Sequence, residues 1–112
     1  MSPNDRVRLR HMADAAESAL RFVAGRARAD LDNDEMLLFA LVRAVEIVGE
    51  AASGVSAATR METPEVSWAL IVGMRNRLVH AYFDVDRNIV WATAAQALAP
   101  LLAQLRSILA RC

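Results

Sequence analysis

Residues 34–52 are apolar on almost every side of a helix, and this limits the folds open to the chain. Met36, Leu37, Leu38, Phe39, Leu41, Val42, Val45, Ile47 and Val48 leave only a narrow polar stripe. That stripe is Arg43, Glu46 and Glu50, at the helical spacings of three and four. A helix this apolar is expected to be surrounded by neighbours. Gly49 would let another backbone come close to it. Asp30 to Asn33 form a cluster of capping residue types ahead of it, and Ser53-Gly54 ends it. Ser56 to Met61 can form one further turn.

The rest of the chain supplies its neighbours. Leu9, Met12, Ala13, Ala16, Leu20, Val23 and Ala27 recur at helical spacing and predict a first helix from about Asn4 or Asp5 to about Arg28. After the break at Thr63-Pro64, Ser67 is a candidate N-cap for a helix from Trp68 toward Tyr82. Asp86 can cap a last helix from about Arg87 onward, which carries Ile89, Val90, Trp91, Leu98, Leu101, Leu102, Leu105 and Leu109. Nothing in the chain reads as a strand. Four long helices with short connections predict an all-α, antiparallel four-helix bundle occupying 1–112 as a single domain. Pro100 should kink or break the last helix.

Composition excludes several classes. The chain has 13 basic and 13 acidic residues and no net charge, so it is not a general polyanion binder. Contact with nucleic acid would need a local patch. Every basic residue is Arg, which suits bidentate phosphate contacts, but genomic composition is the preferred reading of a chain without Lys. The single cysteine, Cys112, cannot form an intrachain disulfide. No signal peptide or membrane-length apolar run is visible, so a cytoplasmic protein is expected. No His or Cys cluster has metal-ligand spacing, and no metal or other cofactor is expected. Hydrophobic residues make up 55% of the chain, above the usual range of about 45–50%, so close packing of the helices and apolar surface left for a partner are both expected.

The segment at 73–86, GMRNRLVHAYFDVD, places Arg75, Asn76, Arg77, His80 and Tyr82 within eight positions. On a helix Asn76 and His80 share a face, whereas Arg75 and His80 lie about 140° apart and flank one edge. Each residue type suits attack on a phosphodiester. Arg can clamp two phosphate oxygens and offset developing charge. His exchanges a proton near neutral pH. Asn can hold the His ring in one tautomer or bind a phosphate oxygen, and Tyr can donate a hydrogen bond or stack on a base. A structural reading also stands. An Arg–His pair near a helix end can compensate the helix dipole, and Tyr82 can be a core residue with its hydroxyl at the rim.

Arg75, four residues, His80, one residue and Tyr82 form an Arg-x4-His-x-Tyr pattern, with the polar Asn76 directly after the Arg. This resembles the HepT-like HEPN ribonuclease toxins. The resemblance extends to Glu46-Ile47-Val48-Gly49-Glu50-Ala51, to Trp68 ahead of Ile71-Val72-Gly73-Met74-Arg75-Asn76, and to Val85-Asp86 with Ile89-Val90-Trp91, and so spans about residues 4–110. It implies a metal-independent endoribonuclease that is the toxin of a toxin–antitoxin pair, with Arg75 and His80 catalytic and Asn76, Arg77 and Tyr82 supporting. It implies as partner an MntA-like nucleotidyltransferase antitoxin that silences the toxin by transferring AMP to Tyr82. A different class of function also fits the pattern: a non-catalytic HEPN bundle that docks onto such a nucleotidyltransferase as a binding or regulatory module.

RNA cleavage needs one group to take the 2′-hydroxyl proton and one to protonate the leaving oxygen. The chain has two histidines, and His11 lies on the first helix, far from the motif in sequence. A two-fold homodimer would bring two copies of His80 and Arg75 to one cleft, and the resemblance points the same way. Glu46 and Glu50 have two readings: they orient Arg75 or Arg77, or they form a structural stripe with Arg43.

Overall fold

Helices account for every regular element of the computed structural model, which describes residues 1–80 and 85–111, with the side chains of Val79 and His80 outside that description. The first helix, α1 (Pro3–Val23), starts earlier than expected because Ser2 caps it: the Ser2 hydroxyl oxygen accepts from the Asp5 N–H at 3.1 Å, with Pro3 in the first turn. It ends earlier too. The chain leaves the helix at Ala24, and Gly25 takes a φ of 72°, a left-handed conformation that costs glycine little. The predicted continuation to Arg28 is therefore replaced by a turn and a four-residue helix, α2 (Asp30–Asn33). Asp34 then caps the apolar helix α3 (Glu35–Ser53), accepting from the Leu37 N–H at 3.0 Å. The expected extra turn is α4 (Ala57–Glu62), capped by Ser56.

The helix bearing the motif is α5 (Trp68–His80). The expected extension to Tyr82 lies outside the described residues. Asp86 caps α6 (Arg87–Ala92), accepting from the N–H groups of Asn88 and Ile89. A wide π turn follows at Thr93–Ala97, and then α7 (Leu98–Arg111). The irregularity expected near Pro100 is this π turn. Proline has no N–H for residue 96 and its ring crowds that carbonyl. The helix widens there and then runs on through Pro100.

Long-range contacts set the directions of the helices. Asp5, at the start of α1, is bonded to Ser56 and Thr59, just beyond the end of α3. Arg28, after α1, reaches Asn88 at 2.6 Å, while Glu17 reaches Arg106 at 3.1 Å. Both α3 and α7 therefore run antiparallel to α1. Leu9, Met12, Leu41, Val90, Leu105 and Ile108 are fully buried between them. Burying each such side chain stabilises by about 1.5–3 kcal/mol.

Two features separate the structure from a closed four-helix bundle. First, α5 packs along α3, with no comparable contact to α7 among the described residues. The shortest dimension of the molecule is 19 Å, about two helix diameters. Second, α3 is not covered all round as its composition suggested: Met36 is 83% and Phe39 61% exposed. No described helix is long and apolar enough to cross a membrane.

Candidate active site

Arg75 sits where α5 meets α3, and Gly49 makes the contact possible. A Cβ at position 49 would overlap the Arg75 Cβ and come within 2.8 Å of its Cγ and 3.3 Å of its Cα. The close approach expected at Gly49 thus has a specific partner, the motif arginine. Arg75 is half-buried, and its Nη1 donates to Asn76 Oδ1 at 2.9 Å. Its Nε is shielded from solvent without a hydrogen-bond acceptor among the described residues. No carboxylate among those residues pairs with it. Seven arginines, Arg21, Arg26, Arg28, Arg43, Arg87, Arg106 and Arg111, each pair with an Asp or Glu, whereas Arg8, Arg10, Arg60 and Arg77 resemble Arg75 in having no carboxylate partner among the described residues. A guanidinium held in place along its stem and left with N–H groups to donate is suited to bind an anion.

Among the described residues, Asn76 contacts Arg75. Its carbonyl oxygen steers the Arg75 guanidinium, and the side chain is otherwise exposed. Arg77 leaves α5 on a different side and lines a groove between α5 and α7. Glu46 and Glu50 pair with Arg43, at 3.4 Å and 3.7 Å, so they form the structural stripe and do not orient Arg75 or Arg77. His11 is exposed on α1. The structure thus brings Arg75 and Asn76 together and separates them from Arg77. The backbone of His80 belongs to α5, its side chain lies outside the described residues, and so does Tyr82 entirely. No group of three or more His, Cys, Asp or Glu that could hold a metal occurs among the described residues.

Several contacts outside the motif hold the bundle in shape. Asp5 is a buried carboxylate. It accepts from the Ser56 N–H at 3.0 Å and from the Ser56 and Thr59 hydroxyls, the latter at 2.6 Å. Those hydroxyl bonds, led by Ser56, hold its pKa down at about 2 against the pull of burial. The loop from α1 to α3 is fixed by Arg26, which bridges Asp30 at 3.3 Å and Asp34 at 2.7 Å and lowers the pKa of both. For Asp30 the N–H of Ala27 lowers it more than Arg26 does. Trp68 opens α5 with its Nε1 donating to Thr63, while the Arg60 guanidinium stands 5.6 Å above its ring. These partners are remote in sequence or sit in turns, so no local pattern announces them.

The structure is an all-α bundle whose motif helix holds an arginine against a glycine, with no carboxylate on it among the described residues, and comparison with known proteins specifies the family. The Ribonuclease HepT-like family profile matches residues 12–108. The chain belongs to the HepT-like ribonuclease family, of the HEPN type. It is 35% identical over 101 residues to a "Putative RNase" of Caldanaerobacter subterraneus subsp. tengcongensis, covering 90% of each chain. It is 34% identical over 88 residues to a "Probable ribonuclease HepT" of Thermococcus cleftensis, covering 79% of this chain and 80% of that one. A "Putative RNase" of Methanocaldococcus jannaschii is 33% identical over 78 residues, 70% of this chain and 72% of its own. No solved structure matches significantly.

Proposed function

We propose that the chain is a metal-independent endoribonuclease and the toxin of a toxin–antitoxin pair. The observation that carries this reading is Arg75: half-buried against Gly49, steered by Asn76 and without a carboxylate among the described residues, in a chain of the HepT-like family. In the proposed reaction the RNA 2′-hydroxyl attacks the adjacent phosphorus and the bond to the 5′-oxygen breaks. The products are a 2′,3′-cyclic phosphate and a 5′-hydroxyl. Arg75 offsets the charge that builds on the phosphate oxygens. His80 takes the 2′-hydroxyl proton, and His80 of a second copy gives one to the leaving oxygen. Asn76 and Arg77 support substrate binding.

Control runs through Tyr82. A nucleotidyltransferase of the MntA kind transfers AMP from ATP to the Tyr82 oxygen, releasing pyrophosphate and the phenol proton. The new phosphodiester brings a negative charge near Arg75 and competes with RNA for it. Expression of the chain alone, with and without His80→Ala, tests the reading. Arrested growth with fragmented RNA is expected for the unaltered chain and not for the variant. Normal growth and intact RNA in both would instead favour a non-catalytic module that docks on the nucleotidyltransferase.

A further inference from the structure

Phe39 is a phenyl ring left 61% exposed on α3, the helix that carries Gly49. Phe39, Val42, Glu46 and Gly49 follow one another at spacings of three, four and three, so they form one stripe of that helix. The stripe grades from buried Gly49, under the Arg75 stem, through half-buried Glu46 and Val42 to exposed Phe39. Glu46, the carboxylate between Phe39 and Gly49 on the stripe, is paired with Arg43.

The direction of α5 carries the motif toward that ring. The helix starts beyond the end of α3, where the Trp68 Nε1 donates to Thr63. It leads on to α6, whose Asn88 is bonded to Arg28, just ahead of α2 and the start of α3. The two helices are therefore antiparallel. From the contact of Arg75 with Gly49, each step forward along α5 is matched by a step back along α3. The backbone of His80 then lies level with Ala44, and Phe39 is five residues further on. At 1.5 Å per residue that is about 7.5 Å, or roughly two nucleotides of a stacked strand. We propose that Phe39 is a stacking platform for an unpaired base of the RNA, about two nucleotides from His80.

Two observations favour a base over other occupants. The chain has no net charge, so its overall field cannot hold a polyanion, and contacts beyond phosphate pairing have to contribute. An exposed ring on the stripe that ends at an anion-binding arginine supplies such a contact, because every base has a face to stack. Bases in a duplex are already stacked and paired, so the substrate class is single-stranded RNA. The proposal rests on the ribonuclease reading and adds to it a residue that grips substrate.

Binding and cutting are measured separately. Binding is followed by fluorescence anisotropy of a short labelled single-stranded RNA, in a His80→Ala background that leaves the RNA whole. Phe39→Ala and Phe39→Leu should each weaken it roughly 10- to 100-fold. Phe39→Trp should keep it, and so should Met61→Ala, at a site 81% exposed on α4. Phe39 is mostly exposed, so helical circular dichroism should be alike in all. Removing single bases from the RNA should find one position near the cut whose loss weakens the unaltered ring's binding by the same factor and leaves Phe39→Ala unaffected. With His80 intact, Phe39→Ala should raise KM by that factor and change kcat little. Unchanged affinity in Phe39→Ala overturns the proposal, and a loss of self-association or partner binding alone would assign the ring to a protein contact. Binding as tight in Phe39→Leu, or no base whose removal cancels the effect, overturns stacking as well. RNA that binds through Phe39 and is not cut would uphold the platform and refute the ribonuclease reading. Cutting that ignores Phe39 would do the reverse, and a chain that neither binds nor cuts RNA refutes both.

Discussion

Gly49 and Arg75 share one space: the absent side chain of the first is occupied by the stem of the second. The position of the motif arginine therefore depends on a glycine 26 residues earlier, on another helix. Gly49→Ala must push α5 away from α3 or turn Arg75 aside. Overpacking of this kind costs about 1–3 kcal/mol, partly offset by about 1 kcal/mol from alanine's better helix propensity. Gly73→Ala meets open space and should raise stability by about 0.5–1 kcal/mol. Thermal unfolding of the two variants should shift in opposite directions, and only Gly49→Ala should lower RNA cleavage. Cleavage at the normal rate by a folded Gly49→Ala would show that the contact does not position Arg75.

Asp5 gives a pH dependence with a definite sign. Its pKa falls from 3.8 to about 2 on folding, so the folded state favours the ionised form. The resulting stability is full above about pH 4 and is lost as pH drops toward 2. It amounts to on the order of 2 kcal/mol. Asp5→Asn should be less stable at neutral pH, and its unfolding free energy should fall less between pH 4 and pH 2. Parallel acid curves for the two proteins in urea titrations would contradict the role given to Asp5.

Much of this architecture is legible in the sequence where a cap or a period marks it. Asp34, Ser56 and Asp86 cap α3, α4 and α6 at the positions their residue types suggest. The early stop of α1 was signalled by Gly25, whose left-handed φ outweighs an apolar pattern that runs on to Ala27. What the sequence hides is tertiary. Periodicity cannot say that Gly49 receives Arg75, that Asp5 is buried under Ser56 and Thr59, or that α5 stands off from α7 to leave a groove. The pairing of Glu46 and Glu50 with Arg43 rather than with Arg75 or Arg77 is likewise a matter of packing that helical spacing leaves open.

The proposed control by modification makes a prediction of mass. Incubation with the cognate nucleotidyltransferase and ATP should add one AMP to the unaltered chain and none to Tyr82→Phe. The phenylalanine variant should keep much of its toxicity and escape its partner. Intact-mass spectra showing equal gain in both chains, or none in either, would rule out Tyr82 as the acceptor.

The central claim is that Arg75 and His80 cut RNA without a metal. The direct measurement is cleavage of single-stranded RNA by the purified chain in excess chelator, beside Arg75→Ala and His80→Ala with their folds verified by circular dichroism. The account predicts cleavage by the unaltered chain, products ending in a 2′,3′-cyclic phosphate, and a loss of about 10²–10⁴ in rate for each variant. Normal rates in either folded variant, or activity that disappears with chelator and returns with a divalent ion, would contradict it.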